Sequence, residues 1–253
     1  MHRFRFPLDP LEIASLERAT LDAVAPPAVA EIDGWLLPFD HGSIGRAKSA
    51  VPIRYERTHA RDVATIESLY AARGLQAAYR VADVPGLAAI QAALAHRGYQ
   101  AQQPTLVQVG SVANLRALSH GTPAHVGTRP EAAWASVYLA EGFDPVDGAH
   151  RIQALSRSQH MVYAYVEEDG QAVAAGTAAF SQGWCSIHGM RTIPARRGRG
   201  LAARILVALA NTASEHKLER VFLQVEESNT AALALYSRAG FETAWRYHYW
   251  RKP

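Results

Sequence analysis

One cysteine, Cys185, in 253 residues leaves nothing from which an intrachain disulfide could be made. Lysine is nearly absent too: of 26 basic residues only Lys48, Lys217 and Lys252 are lysines. The rest are arginines, whose planar fork suits phosphate and carboxylate, though most of them read as plain composition. Neither sign of charge dominates, since 23 acidic residues hold the net charge to +3. That is too little for a chain that grips nucleic acid. No apolar run is long enough to span a bilayer. The Met1–Pro10 segment has charges and no apolar stretch, so it does not read as a signal peptide. The expectation is a soluble cytoplasmic protein with no membrane, nucleic-acid or metal partner. No Lys-Ser or Lys-Thr follows a glycine-rich loop, which excludes a Walker-type nucleotide site.

What is present is ordinary globular composition, 49% hydrophobic and 19% charged, enough to bury a real core. The patterning predicts a helix over 9–24, with Leu11, Leu16 and Leu21 on its apolar face. Strands follow over 34–39 and 46–53, a helix over 59–73, a strand over 77–81, a helix over 85–97 and a strand over 105–109. A loop-like stretch from Ser119 and His120 to Pro123 marks a domain boundary, giving units 1–118 and 119–253. The second unit reads as a short strand at 124–127, helices over 131–141 and 149–156, and strands over 161–166, 172–180 and 184–193. A helix over 201–217, a strand over 221–225, a helix over 230–239 and a last strand over 247–251 complete it. Alternating strands and helices predict an α/β layered fold.

The halves echo each other at one ungapped offset. Gly98-Tyr99 ends a helix as Gly240-Phe241 does, and 240 − 98 = 142. The same shift lays the 201–217 helix on the 59–73 helix and the 221–225 strand on the 77–81 strand, which reads as a structural repeat. The copies differ where chemistry would sit. Arg197-Gly198-Arg199-Gly200 faces Tyr55-Glu56-Arg57-Thr58, Asn229 faces Leu87, and Tyr236 faces Leu94.

The sharpest motif is Arg197-Gly198-Arg199-Gly200-Leu201-Ala202, which follows a strand and opens a helix. A helix start offers unpaired N–H groups and the positive end of the dipole, and glycines let the backbone approach an anion. Phosphate is the expected guest, with Arg196, Arg197 and Arg199 adding charge. Gly198-x-Gly200-x-x-Ala203 also fits a dinucleotide fingerprint. Against that, the motif comes late, after an apparent hairpin, and the acid after the next strand, Glu226, lies 226 − 200 = 26 residues past Gly200, a loose fit to the roughly 20 expected.

Arg197-x-x-Gly200-x-Ala202 resembles the Q/R-x-x-G-x-G/A signature of the GNAT acetyltransferase superfamily, after Met190-Arg191-Thr192-Ile193-Pro194 as its strand and proline. Asn229-x-x-Ala232-x-x-Leu235-Tyr236-x-x-x-Gly240-Phe241 resembles the family's second signature. The resemblance covers residues 124–253 and reaches the first half only through the repeat. It implies two GNAT-like units, each a mixed, mostly antiparallel sheet flanked by helices, the first degenerate and the second binding acetyl-CoA as co-substrate. It implies an N-acetyltransferase in which an amine attacks the acetyl group directly in a ternary complex. Backbone N–H groups at Met190, Arg191 and Thr192 would hold the pantetheine arm and polarise the thioester. Residues Arg197 to Ala202 would cradle the pyrophosphate. Asn229 would bond the arm or fix the local turn, and Tyr236 would protonate the departing thiolate.

The general base stays open between His188, Glu226, Glu227 and water. His188 shares a strand face with Met190 and Thr192 by period two. Cys185 reads as a packed small residue, since a covalent acyl-cysteine route would need a paired base. In the first half, Arg46, Lys48 and Ser49 form a polar cluster that lines an interdomain cleft or a solvated edge, while Trp35 and Tyr79 read as core. The acceptor would be a small-molecule or peptide amine, with its identity, the acyl length and the oligomeric state left open. The alternatives are a non-catalytic acyl-CoA-binding regulatory module and a nucleotide-dependent oxidoreductase.

Overall fold

A computed structural model describes residues 8–118 and 121–253. Residues 1–7 of the Met1–Pro10 segment, and Ser119 and His120 of the expected boundary, lie outside the described residues. Helix α1 (Pro10–Val24) starts on a capping box, in which Asp9 accepts from the Glu12 N–H and Glu12 reaches back to the Asp9 N–H. It buries Leu16 and Leu21 but leaves Leu11 80% exposed. Strands β1 (Ala28–Ile32), β2 (Trp35–Phe39) and β3 (Val51–Pro52) form a small antiparallel sheet. β1 was not expected, because its Ala28, Val29 and Glu31 are exposed and give no apolar alternation. The expected strand over 46–53 shrinks to β3. Gly45–Ala47 curls into a 3₁₀ turn, closed by the Ser49 hydroxyl donating to the Gly45 carbonyl at 2.8 Å.

The rest of the chain alternates helices and strands. In order these are α2 (Asp62–Ala71), β4 (Tyr79–Ala82), α3 (Ala88–His96), β5 (Gln100–Ser111) and α4 (Val112–Arg116). Then come β6 (His125–Gly127), α5 (Ala132–Ser136), α6 (Pro145–Arg157), β7 (Met161–Glu168), β8 (Gln171–Ser181) and β9 (Trp184–Thr192). The chain closes with α7 (Leu201–Glu215), β10 (Arg220–Glu226), α8 (Thr230–Arg238) and β11 (Glu242–Arg251). Asp169 and Gly170 turn β7 into β8, both with positive φ, 53° and 74°.

Eight strands make one sheet in the order β4-β11-β5-β10-β9-β8-β7-β6. Its neighbours are antiparallel except β10 and β9, so the sheet is mixed and mostly antiparallel, flanked by helices. β5 comes from the first half of the sequence, yet it lies between β10 and β11 of the second. β11 in turn pairs with β4 of the first half. Where β11 meets β5, Tyr247 stands opposite Thr105, and 247 − 105 = 142, the offset of the sequence echo.

The core crosses the same line. Trp184, Phe222, Trp245, Tyr247 and Tyr249 from the later strands pack in one cluster with Leu16, Trp35 and Tyr79 from the earlier ones. α1 is tied across the join by the Trp184 indole N–H, which donates to Ser15 Oγ at 2.9 Å, and within its own half by a buried Glu17–Arg80 ion pair at 2.6 Å.

Candidate active site

β9 and β10 run parallel but pair only at Cys185↔Val221, Ser186↔Phe222 and Ile187↔Leu223, and then part. The cause lies on the other side of β9. Two steps along β8, from Thr177 to Ala175, answer three along β9, from His188 to Arg191. This is a β-bulge, which bends the bulged strand away from its neighbour. Gly189 takes φ +62° there, and an added Cβ would lie 2.6 Å from Tyr138 Oη. The Tyr138 hydroxyl donates to the Gly189 carbonyl at 2.6 Å and pins the bulge.

The bulge overturns the period-two placement of His188. The extra residue reverses the alternation, so Met190 lies over Gly176 beside Ile205, in the core under α7. His188 faces the opposite way, its ring edge-on to Phe222 at 6.3 Å. The opening between the strands is a cavity of about 450 Å³. Of the candidate residues, His188, Met190, Glu226, Asn229 and Tyr236 line it. It also takes Ser43, Arg46, Gln103 and Thr105 from the first half.

Asn229 caps α8, its Oδ1 accepting from the Ala232 N–H at 3.2 Å, so it fixes the local turn. Tyr236, two turns further on, is buried against Phe241, with ring centroids 5.6 Å apart. Glu226 is exposed at the cavity rim and accepts from the Gln103 amide at 2.6 Å. Glu227 points elsewhere, toward Arg246 at 3.4 Å. Arg191 turns its side chain away, onto Asp147 at 3.3 Å and over the Phe143 ring at 4.3 Å. Of the three residues expected to hold the pantetheine arm, Met190 lines the cavity, while Arg191 and Thr192 lie beyond its lining, further along β9.

β9 leads from this cavity to the start of α7. Gly198 and Gly200 have φ of +76° and +75°, and nothing lies within 4 Å of where a Cβ would sit on either. The open side therefore faces the N–H groups of Arg199, Gly200, Leu201 and Ala202, which have no partner among the described residues. Leu201 anchors the turn in the core. The expected contribution of three arginines is reduced. Arg196 pairs with Asp169 at 3.1 Å, Arg199 pairs with Glu168 at 2.9 Å, and Arg197 bonds only the Thr192 carbonyl, at 3.4 Å. The β7–β8 hairpin supplies those acids, which proximity in sequence could not reveal. The β9–α7–β10 crossover is the one parallel step between named strands, which is too little for a dinucleotide fold built on a parallel sheet.

Burial sets the protonation of the cavity. Tyr236 is pushed up to about 12 by desolvation, so its hydroxyl keeps its proton. His188 is driven well below its ordinary range, first by desolvation and then by the nearby Arg46 charge. Both its ring nitrogens are buried without a hydrogen-bond partner among the described residues. The Cys185 thiol is pushed up to about 12 by burial, which fits a packed residue rather than a nucleophile. Tyr138, Arg151, Tyr247, Tyr249 and Arg251 escaped the sequence reading. Only the aromatic run of the last strand hinted at any of them.

The sequence profile for the C-terminal region of the probable histone acetyltransferase Rv0428c matches residues 11–250. The uncharacterized N-acetyltransferase YobR of Bacillus subtilis is 27% identical over 124 residues, 47% of this chain and 49% of that protein. The chain thus spans about half the length of that curated relative. A GCN5-related N-acetyltransferase from Kribbella flavida superposes with a TM-score of 0.69 at 15% identity, covering 95% of each chain. A tandem GNAT protein from the clavulanic acid biosynthesis pathway superposes with a TM-score of 0.60 at 16% identity, over 98% of this chain and 88% of that one. At such identities the superpositions show the fold. Among the described residues no helix is long and apolar enough to cross a membrane, and no group of three His, Cys, Asp or Glu could hold a metal ion.

Proposed function

The chain belongs to the GNAT acetyltransferase family of the Rv0428c C-terminal region, and from that premise we propose that it moves an acetyl group from acetyl-CoA directly onto an amine. The observation that carries the reading is the cavity where β9 parts from β10: it holds a protonated Tyr236 and leads along β9 to an open helix start. The parted backbone at Met190, Arg191 and Thr192 suits the pantetheine arm. The free N–H groups from Arg199 to Ala202 suit the pyrophosphate, with Arg197 the arginine not held by an acid.

Within this frame the chemistry balances. The amine nitrogen forms a bond to the thioester carbonyl carbon, the carbon–sulfur bond breaks, and Tyr236 gives its proton to the sulfur. The proton lost by the amine goes to Glu226, directly or through water. Glu226 is exposed at the rim, whereas burial makes a cationic His188 costly. His188 therefore serves as a neutral wall.

The first half, 1–118, reads as a degenerate copy of the second, 119–253. Support comes from the 142-residue offset recurring at the Tyr247↔Thr105 pair and from the likeness to a tandem GNAT fold. The test is thiol release from acetyl-CoA over a panel of amines. Release that requires an amine supports the reading. Acetyl-CoA binding without release would leave a regulatory acyl-CoA-binding module, and NADH binding in its place would point to an oxidoreductase.

A further inference from the structure

The wall that the first half presents to the cavity is cationic. Arg46 stands on the Gly45–Ala47 turn, which is held from two sides besides its own Ser49 bond. Gly45 packs so closely on Tyr249 that a Cβ there would lie 2.8 Å from the ring. Ser43 Oγ donates to Asp147 Oδ1 at 3.1 Å. Arg46 thus borders the cavity on a rigid support, with its Nε buried and no hydrogen-bond or ion-pair partner among the described residues. Arg251 borders the same cavity, its guanidinium 4.5 Å over the Tyr249 ring, and no carboxylate among the described residues pairs with it. The one acid among the lining residues, Glu226, accepts from the neutral Gln103 amide at 2.6 Å and stands at the rim, where the amine rather than the carboxylate of the acceptor would meet it.

A buried Nε without a hydrogen-bond partner is costly, and the fork geometry of arginine, with its terminal nitrogens still open to the cavity, matches a carboxylate. We propose that the acceptor amine carries a carboxylate, that Arg46 with Arg251 binds it, and that the amine is thereby aimed at Glu226 and Tyr236. The class is an amino acid or a similar amino carboxylate. A polyamine or a lysine-rich tail would meet like charge at the same wall. This assignment rests on acetyl transfer being the reaction.

The test measures kcat/KM by thiol release for alanine, glutamate and phenylalanine, each against its own carboxamide, with spermidine and a lysine-rich peptide alongside. The carboxylates are expected to exceed their amides by about 100-fold, as for a site built to bond a group the analogue lacks. Arg46→Met should shrink that ratio to within a few-fold, and Arg46→Lys, which keeps the charge but loses the fork, should retain only part of it. Equal or better turnover of the amides, of spermidine or of the peptide overturns the carboxylate pairing and leaves acetyl transfer standing. Acetyl-CoA binding with no turnover of any amine removes acetyl transfer, and the pairing falls with it.

Discussion

Tyr236 and His188 line one cavity, and one cause, desolvation, moves them in opposite directions. Burial disfavours the charged form of each, so both are neutral near pH 7. For Tyr236 that is the state a proton donor needs. Tyr236→Phe removes the hydroxyl and keeps the ring against Phe241. Turnover should fall by about 10²–10⁴-fold, as when an acid–base catalyst is lost, while CoA affinity by calorimetry stays within a few-fold. Unchanged turnover would give the proton to water instead. His188 makes a different claim. Unfolded, it titrates near 6.5; folded, its value is lower. Between the two, the unfolded chain binds more protons. Its contribution to stability is therefore full above 6.5 and is lost as pH falls through that window. Denaturant titrations at about pH 7.5 and about pH 5 should show a steeper loss for the wild type than for His188→Gln. Parallel losses would mean that His188 is solvated. The motif residues were legible because short spacing on one helix or loop fixes their neighbours. Arg46 could be suspected but not placed, because its cavity is assembled from residues far along the chain.

At the scale of elements, regular patterning was readable and its interruptions were not. The β7–β8 hairpin, α7 and α8 follow from alternation, turn residues and apolar spacing. The Gly189 bulge broke a period-two extrapolation, and β1 carries no apolar alternation at all. α7 bears a sharper test. Gly200 sits at φ +75°, and a Cβ there would meet no protein atom within 4 Å. Gly200→Val should cost the fold only the strain of a left-handed residue, about 1–2 kcal/mol. If this loop holds the phosphates as proposed, the substitution should cost CoA affinity far more, because the valine would stand in the way of the free N–H groups. A drop in affinity of at least about tenfold, equal to about 1.4 kcal/mol, is expected by calorimetry on a variant with wild-type circular dichroism. Undiminished affinity would remove the phosphate role from this loop.

For the whole molecule, the offset of 142 was readable and the exchange of strands was not, because periodicity reports a strand's face but not its partner. β5 lies between β10 and β11, so residues 119–253 alone would leave two open edges and strip the first-half side from a shared aromatic core. That fragment should fail to fold, rather than merely lose acceptor recognition. The tandem reading also fixes a count. In the first half Tyr55–Arg57 forms a 3₁₀ turn with Glu56 at the position of Gly198, and no positive-φ glycine opens it. Leu87 and Leu94, at the positions of Asn229 and Tyr236, are fully buried in core and offer neither a cap nor a proton. A carboxylate at the phosphate turn repels the anion that glycine N–H groups would attract. Calorimetry on the full chain should therefore give one CoA bound per polypeptide. Two would mean that the first half keeps a working site despite Glu56, and the degenerate copy would have to be abandoned.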